Sequence, residues 1–257
     1  MQVEFMPVKK ITEKLLNIIF PVKCLCCKKI SSSYNGEDIL CEECKKILTE
    51  EAACNCTNCG KSPNFCECKK IKLVDGIVFT YFYTSDILAK AIYAVKKSNL
   101  YYINEFFAKG MYNSLKSCDK IKIGGVDGID FITHTPRKKD SIKLYGYNQT
   151  AVLAKLISKY TGISYMPVVE ASNLYDTEQK SLGKTERALN VKNKFTVTKN
   201  IRKNKDILKG RNILIIDDVV TTGSTLSECA RIMKNMGAKN IYALCAASVL
   251  VRKNNNT

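Results

Sequence analysis

Several patterns that would place this chain in a familiar class are missing from its sequence. None of its apolar runs approaches the roughly 18 residues that a bilayer-spanning helix needs, so we expect no such helix. Its first residues lack the basic and apolar regions of a signal peptide, which favours a cytoplasmic location. Neither the G-x-x-x-x-G-K-[ST] phosphate loop nor the G-x-G-x-x-G fingerprint occurs. Any phosphate site must therefore be built in another way.

The composition is that of a globular protein. The 257 residues are 46% hydrophobic and 25% charged, which is enough for one or two domains. The composition changes after residue 72, so we expect a head at residues 1–72 and a second domain at residues 73–257. The formal net charge of +17 favours a polyanionic partner such as nucleic acid. The lysines are scattered, however, so a basic background without a dedicated binding face explains the charge equally well.

Cysteine is concentrated in the head. Ten of the 13 cysteines lie between residues 24 and 68. Without a signal peptide disulfides explain them poorly, whereas paired C-x-x-C knuckles supply the four sulfurs of a tetrahedral zinc site. An iron–sulfur cluster is the alternative. A segment this short and polar needs metal to fold, so we expect a structural metal.

The spacing of these cysteines suggests one or two zinc ions. The first site would use Cys24, Cys27, Cys41 and Cys44. The second site would use Cys56, Cys59, Cys66 and Cys68. The second ligand set is less secure because its C-x-C pair is tighter than C-x-x-C. Two further cysteines, Cys26 and Cys54, are surplus, so a swap such as Cys26 for Cys24 stays open.

The most informative segment, residues 213–225, reads ILIIDDVVTTGST. Residues 213–216 have the length and branching of a buried parallel strand, and Asp217 and Asp218 follow at its carboxyl end, where open α/β sheets bind ligands. The next turn would surround an anion with backbone N–H groups, hydroxyls and a helix N-terminus. This turn consists of Thr221, Thr222, Gly223, Ser224 and Thr225. Carboxylates beside a phosphate cradle suit a phosphorylated sugar.

Two other interpretations of this segment are weaker. A response-regulator receiver also places acids after an apolar strand, but its phosphoacceptor lies on a later strand, and only 39 residues follow Asp218. A buried strand followed by a capped helix, with no ligand, would leave two adjacent acids at a costly position.

Hydrophobic periodicity predicts an α/β domain with a parallel sheet around this segment. Strands are expected at residues 77–83, 129–133, 166–170, 213–216 and 241–247, and helices at 86–97, 104–118 and about 146–160. A last helix would begin with a capping box of Thr225 and Glu228 and end at Gly237.

Two basic segments accompany these elements. Strand 129–133 runs into Arg137, Lys138 and Lys139, which would lie at the ligand edge of the sheet and suit a pyrophosphate, unless they form only a solvated turn. Residues 173–193 form a polar loop with little regular pattern, which includes Lys184 and Arg187. Such a loop between strands is often functional, although a surface linker is the alternative.

These motifs together resemble known families. Residues 217–225 resemble the phosphoribosyl pyrophosphate (PRPP) signature of type I phosphoribosyltransferases. Nearly the whole chain resembles the ComF competence-protein family. This resemblance rests on Ile19-Phe20-Pro21 before the cysteine head, a Pro-Arg turn before Gly-Tyr-Asn-Gln at 146–149, and the charged loop from Gln179 to Asn190. Thr133 and Thr135 depart from the family, which usually has apolar residues there, and we expect these departures to be harmless.

The resemblance implies a type I phosphoribosyltransferase-like domain behind a zinc finger. It also implies a role in natural transformation, in which single-stranded DNA is handled on the cytoplasmic side, with other competence proteins as partners. PRPP would bind with Mg²⁺ on its pyrophosphate, and Asp217 and Asp218 would hold the ribose hydroxyls. The turn 221–225 would bind the 5′-phosphate, while Arg137, Lys184 and Arg187 would stabilise charge on the pyrophosphate.

Two functions stay open at this point. An active transferase would move ribose 5-phosphate to a nitrogenous acceptor mostly by positioning and electrostatics, without a Ser or Cys nucleophile. No general base stands out, because the only histidine, His134, is expected to be structural. A binding module would hold PRPP, a nucleotide or a DNA 5′-phosphate without turnover. We find no obvious nucleobase-recognising element, which favours binding.

Overall fold

The computed structural model describes residues 23, 24, 26–30, 40–52, 66, 70–83, 86–97, 101–137, 142–144, 146–172 and 194–249. Several candidate site residues and the loop 173–193 lie outside these ranges. Those residues are Cys56, Cys59, Cys68, Lys138, Lys139, Lys184 and Arg187. None of the helices in the described ranges has the length and apolar character that crossing a membrane requires.

Helices and strands alternate along the described chain. The helices are α1 Glu42–Ala52, α2 Asp86–Lys97, α3 Tyr101–Lys116, α4 Gln149–Thr161, α5 Lys199–Lys203 and α6 Ser224–Asn235, with a 3₁₀ turn at Lys205–Leu208. The strands are β1 Gly76–Tyr83, β2 Phe131–His134, β3 Val169–Ala171, β4 Phe195–Val197, β5 Asn212–Val220 and β6 Asn240–Val249.

Four strands form a parallel sheet in the order β1-β6-β5-β2, which confirms the predicted α/β class. The segment 213–216 is completely buried in β5, as expected for a strand covered on both faces. Because β2 and β5 are adjacent and parallel, the residues that follow β2 lie at the same edge as the carboxyl end of β5.

Each face of the sheet has its own hydrophobic core. On one face Leu214 and Ile216 belong to a cluster with residues of α3 and α4, such as Met111 and Leu153. On the other face Ile213 and Ile215 belong to a cluster with residues of α6, including Leu226, Cys229 and Met233. The alternation follows from the two-residue repeat of a strand. Helix α6 covers the second face and begins shortly after the acidic end of β5.

The cysteine-rich head is joined to the first of these cores. Cys24, Cys44 and Leu48 are buried in the same cluster as Val78 of β1 and Leu88 of α2. Helix α1 therefore packs against the first strand and helix of the α/β domain.

A second, two-stranded sheet lies at the ends of the loop 173–193. Strands β3 and β4 pair antiparallel, and Ser172 N–H donates to Lys194 C=O at 2.9 Å. The predicted strand 166–170 is thus partly wrong, since β3 begins at Val169 and belongs to this small sheet. Residues before it run beside β2 instead, with Met166 N–H donating to Ile132 C=O at 2.8 Å. Strand β4 and helix α5 were not predicted from the sequence, because both are too short to show periodicity.

Candidate functional site

The acidic pair lies within the last residues of β5, which continues to Val220 and past the predicted end at 216. Asp217 is buried and Asp218 is half-buried. A carboxylate that is this buried requires hydrogen-bond donors to offset its desolvation. The structure supplies them to one oxygen of Asp217: the Thr135 hydroxyl donates to Oδ1 at 2.7 Å, and the Asp218 N–H donates to Oδ1 at 2.9 Å.

The turn after β5 has the features of an anion-binding loop. Thr221 and Thr222 are exposed, Gly223 is buried with a φ of +78°, and Ser224 opens α6. The hydroxyls of Thr222 and Ser224 lie 3.0 Å apart. The Ser224 N–H donates to the Thr222 hydroxyl at 3.4 Å, so the N-terminus of α6 and two hydroxyls lie together in this turn.

The predicted capping box at the start of α6 is wrong. The helix begins at Ser224 with Gly223 as its N-cap, and the cap forms no side-chain hydrogen bond. Glu228 is buried and accepts from the Arg231 guanidinium at 2.7 and 2.9 Å. Since the helix starts before Thr225, that residue lies inside the first turn rather than at the cap. The predicted end is consistent with the structure, because Gly237 adopts a φ of +86° just past α6.

Gly223 is held by packing from the segment that links the head to the α/β domain. A Cβ at this position would lie 2.8 Å from both Cδ1 and Cγ1 of Ile71. Ile71 is buried, and the turn that contains it closes with Val74 N–H donating to Ile71 C=O at 3.1 Å. Leu73 in this turn adopts a φ of +66°, which is uncommon for a residue with a side chain.

Arg137 follows β2 at the same edge of the sheet. It is half-buried and acts electrostatically on Tyr147, whose pKa burial raises and Arg137 lowers. Tyr147 belongs to the segment 146–149, and this segment leads into α4, whose N-cap is Asn148. The Pro-Arg turn and the start of α4 are therefore close to each other.

His134 lies at the end of β2 but has a structural environment. It is buried, and its Nδ1 lies 2.9 Å from the Tyr165 hydroxyl. Burial, followed by the charge of Lys155, lowers the pKa of His134 to about 4. The neutral imidazole at ordinary pH is consistent with the expected structural role.

The head contains a four-cysteine cluster. The sulfur atoms of Cys24, Cys27, Cys41 and Cys44 all lie within 4.8 Å of one another, and those of Cys27 and Cys41 are 3.6 Å apart. Four sulfurs bound tetrahedrally at about 2.3 Å from zinc lie about 3.8 Å apart, so these residues fit one structural zinc. Among the described residues this is the only such group, and Cys66 is buried outside it.

Local backbone structure brings the four thiols together. Cys24 N–H donates to Lys29 C=O at 2.7 Å in a turn where Lys28 adopts a φ of +63°, and Cys44 lies in the first turn of α1. Burial raises the pKa of Cys24, but backbone N–H groups of neighbouring cysteines donate to it and bring the pKa down to about 6. Burial and the neighbouring thiolate charges raise the pKa of Cys26 to about 12. Cys24 therefore suits a metal-bound thiolate better than Cys26.

The chain is similar to known proteins both in its C-terminal part and over most of its length. The family model described as a phosphoribosyl transferase domain matches residues 169–256. Competence protein F of Haemophilus influenzae is 25% identical over 245 residues, which cover 86% of this chain and 95% of that protein.

The chain is a ComF-like protein with a phosphoribosyltransferase domain.

Two other relatives match shorter parts of this ComF-like protein. The DNA utilization protein YhgH of Escherichia coli K12 is 29% identical over 105 residues, 41% of this chain and 43% of that protein. Ribose-phosphate pyrophosphokinase 2 of Archaeoglobus fulgidus is 44% identical over 43 residues, 17% of this chain and 16% of that protein.

The polar contacts that connect Asp217 with the start of α4 in the ComF-like protein were not predicted from the sequence. Thr135 and Thr150 are buried and Asn148 is half-buried, and the Thr150 hydroxyl lies 2.7 Å from Thr135 C=O and 2.8 Å from Asn148 Oδ1. Asn148 directly before a helical pattern was a readable N-cap signal. The contact of Thr135 with Asp217 joins residues 82 positions apart, and no local pattern indicates it.

Proposed function

We propose that this ComF-like protein binds PRPP or a phosphoribosyl nucleotide, with Mg²⁺, at the carboxyl edge of its parallel sheet. The observation that carries the proposal is the continuity of β5, the acidic pair and the α6 turn. Within residues 217–225, two carboxylates are followed directly by a turn that is suited to bind an anion. A ligand with hydroxyls next to a phosphate matches that order of groups.

Each part of the ligand has a proposed set of residues. Asp217 and Asp218 accept hydrogen bonds from the ribose hydroxyls, as a carboxylate is the natural acceptor for a diol. The turn formed by Thr221, Thr222, Gly223, Ser224 and Thr225 binds the 5′-phosphate through N–H groups and hydroxyls. The match to a ribose-phosphate pyrophosphokinase adds support, because that enzyme's name joins ribose phosphate with pyrophosphate.

The pyrophosphate is assigned to basic residues near the same edge. Arg137 is the described member, and it directly follows the strand that neighbours β5. The remaining members, carried over from the family resemblance, are Lys138, Lys139, Lys184 and Arg187. Mg²⁺ would neutralise charge on the pyrophosphate, and the half-buried Asp218 carboxylate is a hard oxygen donor suited to hold its hydration shell.

A thermal-shift series tests which ligand groups the site recognises. Binding to the folded state raises stability by RT ln(1 + [L]/Kd), so PRPP, ribose 5-phosphate and pyrophosphate can be compared at equal concentration with Mg²⁺. We expect PRPP to stabilise most, with a smaller effect of ribose 5-phosphate that depends on the 221–225 turn. A shift from pyrophosphate equal to that from PRPP would contradict the assignment of the acids to ribose.

We further propose that the protein handles single-stranded DNA on the cytoplasmic side during DNA uptake, together with other competence proteins. The names of the relatives, competence protein F and DNA utilization protein, motivate this role. A face of α3 and α4 offers a specific surface: the Tyr112 and Tyr160 rings lie 5.6 Å apart, and the Lys116 amine lies 5.5 Å from the Tyr112 ring. Half-exposed aromatic rings beside lysines suit stacked bases and a phosphate backbone.

Salt-dependent binding of fluorescent oligonucleotides tests this surface. The double variant Tyr112→Ala/Tyr160→Ala should bind at least about 30-fold more weakly, because it removes two rings and each stacked base contributes about 1–3 kcal/mol. Tyr93→Ala, which removes an exposed tyrosine of α2, is the matched control and should bind like the wild type. Equal affinity of all three proteins would exclude this face.

The alternative function is an active phosphoribosyltransferase. In that reaction an acceptor nitrogen attacks C1 of PRPP, and the C1–oxygen bond to pyrophosphate breaks. The chain would contribute mainly position and charge, with Arg137 and the lysines carried over from the resemblance near the departing pyrophosphate. His134 is a poor candidate for a general base in this reaction, because it is buried and its Nδ1 lies 2.9 Å from the Tyr165 hydroxyl. Pyrophosphate release from PRPP on addition of a nucleobase or amine would favour the enzyme.

We also propose that the protein contains two zinc sites and two domains. One zinc is held by the described four-cysteine cluster, and a second zinc is proposed at Cys56, Cys59, Cys66 and Cys68. The head would comprise residues 1–72 and the phosphoribosyltransferase-like domain residues 73–257. Two zinc ions per purified chain would support the second site, and one zinc unaffected by Cys66→Ser would oppose it.

A further inference from the structure

Thr135 directly follows β2, the strand next to β5, and both its backbone and its side chain make hydrogen bonds. Thr135 N–H donates to Ile216 C=O at 3.0 Å, and Thr135 C=O lies 2.7 Å from the Thr150 hydroxyl on α4. The Thr135 side chain is buried. The backbone of Thr135 is thus held by β5 on one side and by α4 on the other, independently of its hydroxyl.

The register of the sheet places that hydroxyl beside Asp217. His134 pairs with Ile216, so the next residues, Thr135 and Asp217, are neighbours across β2 and β5. The Thr135 hydroxyl donates to Asp217 Oδ1 at 2.7 Å, and the Asp218 N–H donates to the same oxygen. Each donor on this carboxylate oxygen restricts the rotation of the carboxylate plane, and the Thr135 hydroxyl makes the shorter of the two contacts.

We propose that Thr135 is a positioning residue that orients the Asp217 carboxylate for the ribose hydroxyls of a bound phosphoribosyl ligand. This inference rests on the proposed function of the site and adds a residue to it. Thr135 does not touch the ligand in this account, because its hydroxyl is used by Asp217. Thr135 affects binding indirectly, because it sets the angle at which the Asp217 carboxylate accepts hydrogen bonds from the ribose hydroxyls.

Thr133, two residues earlier on β2, is a matched control. It is also buried, and its hydroxyl accepts from Val168 N–H at 3.1 Å, whereas the Thr135 hydroxyl lies 2.7 Å from Asp217 Oδ1 and 3.5 Å from Ile216 C=O. That bond supports the segment beside β2 and does not involve Asp217. Replacing either threonine by valine removes one buried hydroxyl at constant shape, so both variants should lose stability, but only one should lose the orientation of Asp217.

The experiment compares dissociation constants for Mg·PRPP in the full-length, zinc-loaded protein, measured by calorimetry well below the unfolding temperature of every variant. Thr135→Val should bind about 10- to 100-fold more weakly than the wild type, the range expected for a hydrogen bond to a charged group. Thr135→Ser keeps the donor and should restore binding to within about threefold. Thr133→Val should also bind within about threefold of the wild type, despite a similar loss of thermal stability.

The outcomes separate this inference from the proposed function. Absence of PRPP binding by the wild type overturns both. Binding by the wild type with equal affinity in Thr135→Val, or with equal losses in Thr135→Val and Thr133→Val, overturns the positioning role and leaves the site intact. Thr135→Ala serves as the second variant if valine prevents folding, and it should weaken binding like valine while serine still restores it.

Discussion

At the residue scale, Gly223 combines two constraints in the turn proposed to hold the 5′-phosphate. Its φ of +78° favours glycine, and a Cβ there would collide with the buried Ile71 side chain. The turn 221–225 therefore lies against the segment that links the head to the α/β domain, at Gly223 and Ile71. A substitution that disturbs this contact should affect both stability and phosphate binding.

We therefore predict that Gly223→Ala lowers the free energy of unfolding by about 2–5 kcal/mol, the sum of backbone strain and overpacking. Gly125→Ala is the control, because Gly125 has a φ of +90° but no atom of the described residues would lie within 4 Å of an added Cβ. The control should lose only the strain, about 1 kcal/mol. Urea unfolding measures both, and an equal loss in the two variants would show that Ile71 does not press on Gly223.

His134 makes stability depend on pH in a defined window. Its pKa in the folded protein is about 4, against an ordinary value of 6.5, because the side chain is buried. Above about pH 6.5 it is neutral in both states and costs nothing. As the pH falls from 6.5 to 4, the unfolded chain binds a proton that the folded protein does not, so stability falls by up to about 3 kcal/mol.

The variant His134→Asn should remove this part of the pH dependence and still offer Tyr165 a polar partner. We predict that the wild type loses about 2–3 kcal/mol more than the variant between pH 7 and pH 4. Chemical denaturation at both pH values measures the difference, and loss of zinc in acid affects the two proteins alike. Parallel pH profiles would mean that His134 is protonated in the folded state.

At the element scale, the four-cysteine cluster is expected to hold α1 on the α/β domain. Cys44 lies in the first turn of α1, and Leu48 one turn later packs in the core with Val78. We predict that Cys44→Ser removes one zinc per chain and lowers the unfolding temperature, because a structural zinc site contributes directly to folding. Cys118→Ser, a buried cysteine outside the cluster, should keep its zinc. Metal analysis that finds equal zinc in both variants would contradict the assignment.

The elements also show what local sequence could predict. The apolar run of β5 and the C-x-x-C pairs are local patterns, so the central strand and the four clustered cysteines were found from spacing alone. The antiparallel pair of β3 and β4 depends on residues brought together across the loop 173–193, and three-residue strands carry no periodic signal. The capping box failed because Glu228 pairs with Arg231 within α6 instead of returning to the cap.

The candidate site shows the same limit. The acids and the turn 221–225 are contiguous in sequence, so their adjacency was predictable. Thr135 and Thr133 were expected to be harmless departures, yet both hydroxyls make buried hydrogen bonds. Their contacts depend on the register between β2 and β5, which is a property of the folded sheet and not of either strand alone.

At the scale of the whole molecule, the topology brings the proposed ligand groups to one edge. Adjacent parallel strands β2 and β5 carry Arg137 and the acidic pair to the same side, and α6 adds its N-terminus. A net charge of +17 adds a long-range attraction for phosphorylated ligands. Tyr160 lies near the end of α4, whereas Thr150, which contacts Thr135 beside the acidic pair, lies at its start, so the two surfaces can be altered by different substitutions.

The most direct test of the central claim is a calorimetric titration of the zinc-loaded protein with Mg·PRPP. We predict saturable binding by the wild type and a loss of at least about 100-fold in Asp217→Asn/Asp218→Asn, since hydrogen bonds to charged groups contribute about 1.5–3 kcal/mol each. The charge-matched control Asp119→Asn/Asp127→Asn, on exposed residues before β2, should bind like the wild type. Absence of binding by the folded wild type, or equal binding by the two double variants, would contradict a phosphoribosyl site at the acidic pair.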